Sequence, residues 1–192
     1  MDFQPPDVNL LLIFPFLWLT GWAIALMLLD LALPAARRGW LPWLALAGIL
    51  PAFVQAAGLW GYDGGTFSVQ GGAPALAVDN FSTFINLTLL ATAGLSVLIS
   101  IHYLQKADIE RPEYYYLMLF SVGGMMLMGM ANDLILIFLA LELLSIPLYV
   151  LSGFARPRVD SEESAMKYFL LGAFSSGFLV YGIALIYGYA GS

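Results

Sequence analysis

The sequence has 192 residues, of which 61% are hydrophobic and 10% charged, with a mean hydropathy of +0.86. Soluble domains carry roughly 25% charged residues, so this composition places the chain in a bilayer and predicts an all-α membrane protein. The lack of cysteine excludes disulfides, thiolate-held iron–sulfur clusters and cysteine zinc sites on this chain, and one histidine cannot ligate a haem from both sides. Seven scattered basic residues and a net charge of -6 leave no phosphate-binding surface, so nucleic acid is excluded as a partner.

The chain opens with MDFQPPDVN, which is acidic and has no positive n-region. The apolar run after it exceeds the roughly 7–15 residues of a signal h-region, and it reads as a retained first span. Hydropathy resolves about six stretches near the roughly 17–25 residues that cross a hydrocarbon core. They cover 8–33, 40–60, 81–104, 114–130, 134–154 and 168–189, and together make one transmembrane domain over 1–192. Pro15, Pro42, Pro51 and Pro147 fall within them, which lipid-embedded helices tolerate when neighbours satisfy the freed carbonyls. Trp40, Trp43, Trp60 and the cluster Tyr114, Tyr115, Tyr116 fall near predicted ends, where interfacial aromatics belong.

Between spans two and three, GYDGGTFSVQGGAPALAVD predicts a short hairpin, from the alternation over 66–69, the QGG break and the second apolar run; a flexible Gly-rich connection is the alternative. Asp79 or Asn80 is the expected cap of span three, and Asn132 with Asp133 makes the tight turn between spans four and five. Asp160 with Glu163 reads as a capping box for span six. The basic residues fix the orientation. Arg37 and Arg38 follow span one, Lys106 and Arg111 span three, and Arg156, Arg158 and Lys167 span five, so all share one face of a six-span chain. By the positive-inside rule that face is cytoplasmic and both termini lie outside.

Glu142 sits in LALELLSIPLYVLSGF, nine residues after Asp133, which puts it roughly 13 Å along its helix and near mid-bilayer. An ionised carboxylate there must be neutralised, paired or used. Ser145, Tyr149, Ser152 and Arg156 follow on the same helical face, a possible polar relay toward the cytoplasm. Pro147 cannot donate to the carbonyl of Leu143, which opens an acceptor one residue beyond the carboxylate. We read Glu142 as a protonatable group in a transport path, against the alternative of a packing carboxylate. Lys167, with Glu163 as an i,i+4 partner, is either a snorkelling lysine or a relay member. His102 and Asp30 read as interfacial, and the methionines of SVGGMMLMGM with Gly172, Ala173, Ser176 and Gly177 as close helix packing.

The strings EYYYLMLFSVGGMMLMGMANDLILIFLALELLSIPLYVLSGF and SEESAMKYFLLGAFSSGFLVYGIALIYG closely resemble the N-subunit family of bacterial proton-pumping NADH:quinone oxidoreductase, respiratory complex I. The same subunit is chain 2 in mitochondria. The resemblance implies a non-redox subunit of a translocase in the bacterial inner membrane, partnered by other membrane subunits, with NADH, FMN, iron–sulfur clusters and quinone all bound elsewhere. It places Glu142 on the family's essential fifth-helix glutamate, which tunes a seventh-helix lysine, and Lys167 on the sixth-helix lysine of the proton path. The family fold has about fourteen helices built from two inverted repeats. Six spans correspond to its first part, so the expectation is the N-terminal portion of a longer subunit, inactive in proton translocation alone. A cation/proton antiporter subunit of the same fold and a structural membrane module are the competing readings.

Overall fold

The computed structural model describes residues 7–34, 39–68, 72–109 and 111–190. Arg37, Arg38 and the first two residues of the QGG break lie outside them. Six helices follow in order: α1 (Phe14–Ala32), α2 (Leu41–Ala57), α3 (Asn80–Lys106), α4 (Glu113–Met130), α5 (Leu134–Ser152) and α6 (Val159–Ala190), with strands β1 (Gly64–Thr66) and β2 (Leu76–Val78) between α2 and α3. Four of the helices, α1, α3, α5 and α6, are long and apolar enough to cross a membrane on length and composition alone. The 17-residue α2 is at the short limit. The 18-residue α4 carries tyrosine, serine and glycine because most of its surroundings are protein.

Helices α1 to α4 pack in a ring, α1 on α2, α2 on α3, α3 on α4 and α4 back on α1, and α5 and α6 are added in turn against α4 and α5. The ring's core runs through Leu19, Leu26, Leu41, Leu90, Leu119 and Met126. Trp18 and Trp22, one turn apart on α1, stack with centroids 5.7 Å apart. Their indole N–H groups donate to the carbonyls of Gly48 at 3.1 Å and Leu44 at 2.9 Å on α2. An alanine Cβ at Gly48 would fall 2.0 Å from the Trp22 ring, so the glycine makes room for it.

One end of the ring is plugged. β1 and β2 pair antiparallel, with Gly65 opposite Ala77, which bears out the expected hairpin. Residue Asp7 bridges Ser68 and Ala131 bridges Leu76, while Asn132 N–H donates to the Ala75 carbonyl at 2.9 Å. A second apolar cluster of Leu12, Ile13, Leu76, Val78 and Met130 fills the space beneath. Asp79, not Asn80, caps α3 in a reciprocal box with Ser82, and Asn80 instead accepts from Gly61 N–H at 2.7 Å.

Several expectations are corrected. Pro15 and Pro42 lie in the first turns of α1 and α2, where a missing N–H costs nothing, and only Pro51 and Pro147 are inside helices. Asp160 is no cap: α6 begins at Val159, its first turn closing on the Arg158 carbonyl, which accepts from Ser161 and Glu162 N–H. Asp160 and Glu162 thus sit within the first turn, where the helix dipole favours negative charge. Asp30, in the last turn of α1, is 7% exposed because it continues the inner face of Leu19, Ala23 and Leu26. Tyr115 is likewise buried against the ring while Tyr114 and Tyr116 are half-buried. Trp40, Trp43 and Trp60 are exposed, as interfacial residues should be.

Gly124 lets α4 meet α5 backbone to backbone. A Cβ there would lie 2.4 Å from the Leu144 nitrogen and 2.8 Å from the Leu143 carbonyl carbon. Gly124→Ala is therefore expected to cost about 1–3 kcal/mol by overpacking. Gly94→Ala, whose added carbon meets nothing within 4 Å, should be neutral or stabilising through helix propensity. Thermal unfolding of both variants in detergent checks the contrast.

Candidate functional site: the seam between α5 and α6

α5 owes its start to Asp133, whose carboxylate accepts from Ile135 N–H at 2.8 Å and Leu136 N–H at 3.3 Å. The same carboxylate accepts from the Tyr187 hydroxyl of α6 at 2.6 Å. Further along, the Ser176 hydroxyl of α6 donates to Glu142 Oε1 at 2.5 Å. Below that, the Tyr149 hydroxyl lies over Gly172, so close that a Cβ on the glycine would sit 2.0 Å from it. The Tyr149 ring meets Tyr168 and Phe169 edge-on, at centroid distances of 4.8 and 5.7 Å. At the far end Ser161 donates to the Ser152 carbonyl at 2.9 Å. These contacts descend one helix as they climb the other, and they form the antiparallel seam.

The sequence places Glu142 correctly in the middle of α5, half-buried and on the face turned to α6. Its partner, Ser176, reads from the sequence as a packing residue; nothing in a single serine among small residues distinguishes the two roles, and only the pairing of two antiparallel periods could reveal it. Gly172 does pack closely, but Gly177 has nothing within 4 Å of an added Cβ. Of the expected relay, Ser145 is buried, Tyr149 reaches α6, and the Ser152 hydroxyl donates to the Tyr149 carbonyl at 2.8 Å, a local bond that satisfies the serine on its own helix.

Glu142 and Lys167 are not in contact. Lys167 is 70% exposed and pairs with Glu163 at 2.5 Å, one turn back, as the spacing predicts. Glu142 meets α6 nine residues farther on, roughly 13 Å along the helix. On the Lys167 side of the seam a cleft of about 1000 Å³ opens between α4, α5 and α6. Tyr149 and Phe169 form part of its wall, and Arg111, Glu113, Arg156 and Glu162 bring charge to it. This is the basic end of the chain: Lys106, Arg111, Arg156, Arg158 and Lys167 all lie at it, opposite the hairpin plug.

A family described as "NADH:quinone oxidoreductase/Mrp antiporter, TM" matches residues 131–192, the segment that holds α5 and α6. Similar curated proteins include NADH-quinone oxidoreductase subunit N 2 of Roseiflexus castenholzii, 48% identical over 90% of this chain and 34% of its own length. Subunit N of Trichlorobacter lovleyi is 46% identical over 96% of this chain and 37% of its own. The chain is homologous to subunit N of NADH-quinone oxidoreductase. Its fold agrees: a chain of respiratory complex I from Thermus thermophilus superposes with a TM-score of 0.74 at 32% identity, covering 93% of this chain and 37% of that one. The chain thus spans about a third of the length of the subunit N relatives it matches.

Asp133 titrates below the ordinary carboxylate value of 3.8, chiefly because the Tyr187 hydroxyl donates to it, with the Ile135 and Leu136 N–H groups adding to the effect against desolvation. A carboxylate whose pKa is lowered on folding contributes stability that is fully present above its unfolded pKa and lost as pH falls through the folded one. Asp79, lowered by Ser82 N–H, acts in the same sense. Thermal midpoints in detergent should therefore drop as pH falls below about 4. Asp133→Ala, which removes the cap of α5, should cost about 0.5–2 kcal/mol at neutral pH, and Asp133→Asn, itself a good cap, much less.

Proposed function

We propose that this chain is part of a proton-translocating subunit of NADH:quinone oxidoreductase, with the path running along the α5–α6 seam through Glu142 and with Lys167 on its approach. The observation that carries the reading is a carboxylate in the middle of a membrane helix, held by a side chain of the neighbouring helix, within the segment that matches the family. Intramembrane ionisable groups with named partners ordinarily mark such paths. The basic end faces the cytoplasm and the hairpin plug the outside, in the plasma membrane of a bacterium, by the positive-inside rule. NADH, flavin, clusters and quinone belong to other subunits, and electron transfer there drives the movement of protons here.

The chemistry is electrostatic. A carboxylate near a lysine stabilises the protonated amine; moving or neutralising the carboxylate lowers the lysine pKa and releases its proton. In the family that the sequence resembles, the lysine stands on a seventh helix, after the six helices of the described residues. Glu142 would hold it charged, and the cleft at the basic end would admit water to the seam.

Glu142→Gln in the full-length subunit, assembled in its complex in membrane vesicles, is expected to assemble normally and to lose most NADH-driven proton pumping. Wild-type pumping in that variant overturns the reading. Lys167→Ala should lower pumping less, since its charge is already paired with Glu163 and largely solvated.

The description of the matched family also names an antiporter, which supports a second reading as a sodium/proton exchange subunit. A proton flux driven by a sodium gradient, in vesicles without any electron donor, would favour it. Unchanged flux in Glu142→Gln together with lost assembly in Gly172→Leu would instead indicate a structural module.

A further inference from the structure

We infer that Ser176 is the positioning residue for Glu142, holding the carboxyl group on the α6 side of the seam in both of its protonation states. The inference rests on the proton-path reading and names a residue that reading does not require. Among the described residues, the hydrogen bond to Glu142 is the one from Ser176 Oγ to Oε1. Two of the three hydroxyls that follow it on its own helix are placed otherwise: Ser152 is bonded to the Tyr149 carbonyl, and Tyr149 reaches across to Gly172. Glu142 is therefore oriented by α6 and not by the stripe that follows it on α5.

Serine suits the task in a way that a cation does not. A hydroxyl donates to an ionised carboxylate and accepts from a protonated carboxyl, so one contact survives the arrival and departure of a proton. A lysine or arginine at the same place would favour the ionised form alone. Binding through Oε1 also leaves Oε2 to take a second partner. Around this pair, α4 presents glycines and methionines and no titratable side chain beyond Tyr116, α5 brings Tyr149 two turns away, and α6 brings Tyr181 and, nine residues back, Lys167 with its Glu163. Asp133, at the head of α5 and nine residues before Glu142, is held by Tyr187.

Because the hydroxyl serves both protonation states, its loss leaves the carboxyl free to turn away from α6 in either state, and proton transfer slows at every pH. The test measures NADH-driven pumping against pH in vesicles that carry the full-length subunit in its assembled complex. Ser176→Ala should assemble and lower the pumping rate by about tenfold across the whole profile, the size expected for one lost hydrogen bond. Ser176→Thr, which keeps the hydroxyl, should restore the wild-type profile. Ser176→Cys, a weaker donor of similar size, should lower the rate part of the way, and it carries the comparison if the alanine variant fails to assemble. Profiles of Ser176→Ala or Ser176→Cys that superimpose on wild type, with Glu142→Gln inactive, overturn the inference and leave the proton path standing. Full pumping by Glu142→Gln removes the path and the inference together.

Discussion

The contact that the rest of the molecule depends on is the approach of α4 to α5 at Gly124. Lipid tails offer helices no hydrophobic incentive to associate, so membrane helices are held by close packing and by polar contacts between them. α4 belongs to the ring with α1, α2 and α3, and it also carries α5; α5 in turn carries α6. With no side chain at Gly124, the two backbones meet beside Leu143 and Leu144, directly after Glu142. The depth and facing of the carboxylate are thus set from the ring side by a missing methyl group and from the other side by a serine hydroxyl.

Pro147 belongs to the same construction. It withholds the N–H that the Leu143 carbonyl would accept, at the level where the α4 backbone comes nearest. A helix with one intrahelical bond removed, pressed against a glycine on one flank and joined by side-chain hydrogen bonds on the other, combines a local weakness with a firm support. Glu142 lies between the two.

Much of this was legible in the sequence because it depends on composition and local chemistry. Six apolar stretches, a cap at Asp79 or Asn80, the hairpin around its QGG break and the Lys167–Glu163 pair each follow from residues a few positions apart. What escaped depends on residues brought together from afar. The sequence marks Trp18 and Trp22 only as apolar, yet their N–H groups join α1 to α2 thirty and twenty-two residues away. Ser176 lies 34 residues from Glu142, and Tyr187 54 from Asp133. Asp30 and Tyr115 stand near helix ends, and hydropathy, which measures depth in the membrane, does not tell that their side chains turn inward against the bundle.

The plug at the hairpin end divides the molecule mechanically. Backbone hydrogen bonds knit residue 7, the hairpin and the α4–α5 turn into one piece, so α1 to α5 cannot slide past one another there without breaking main-chain pairing. α6 has no such stitch among the described residues; between its first turn and its last it is fastened to α5 by side chains alone. Any shear within this part of the protein concentrates on that seam as on a geological fault, and the carboxyl of Glu142 is bonded across the middle of it.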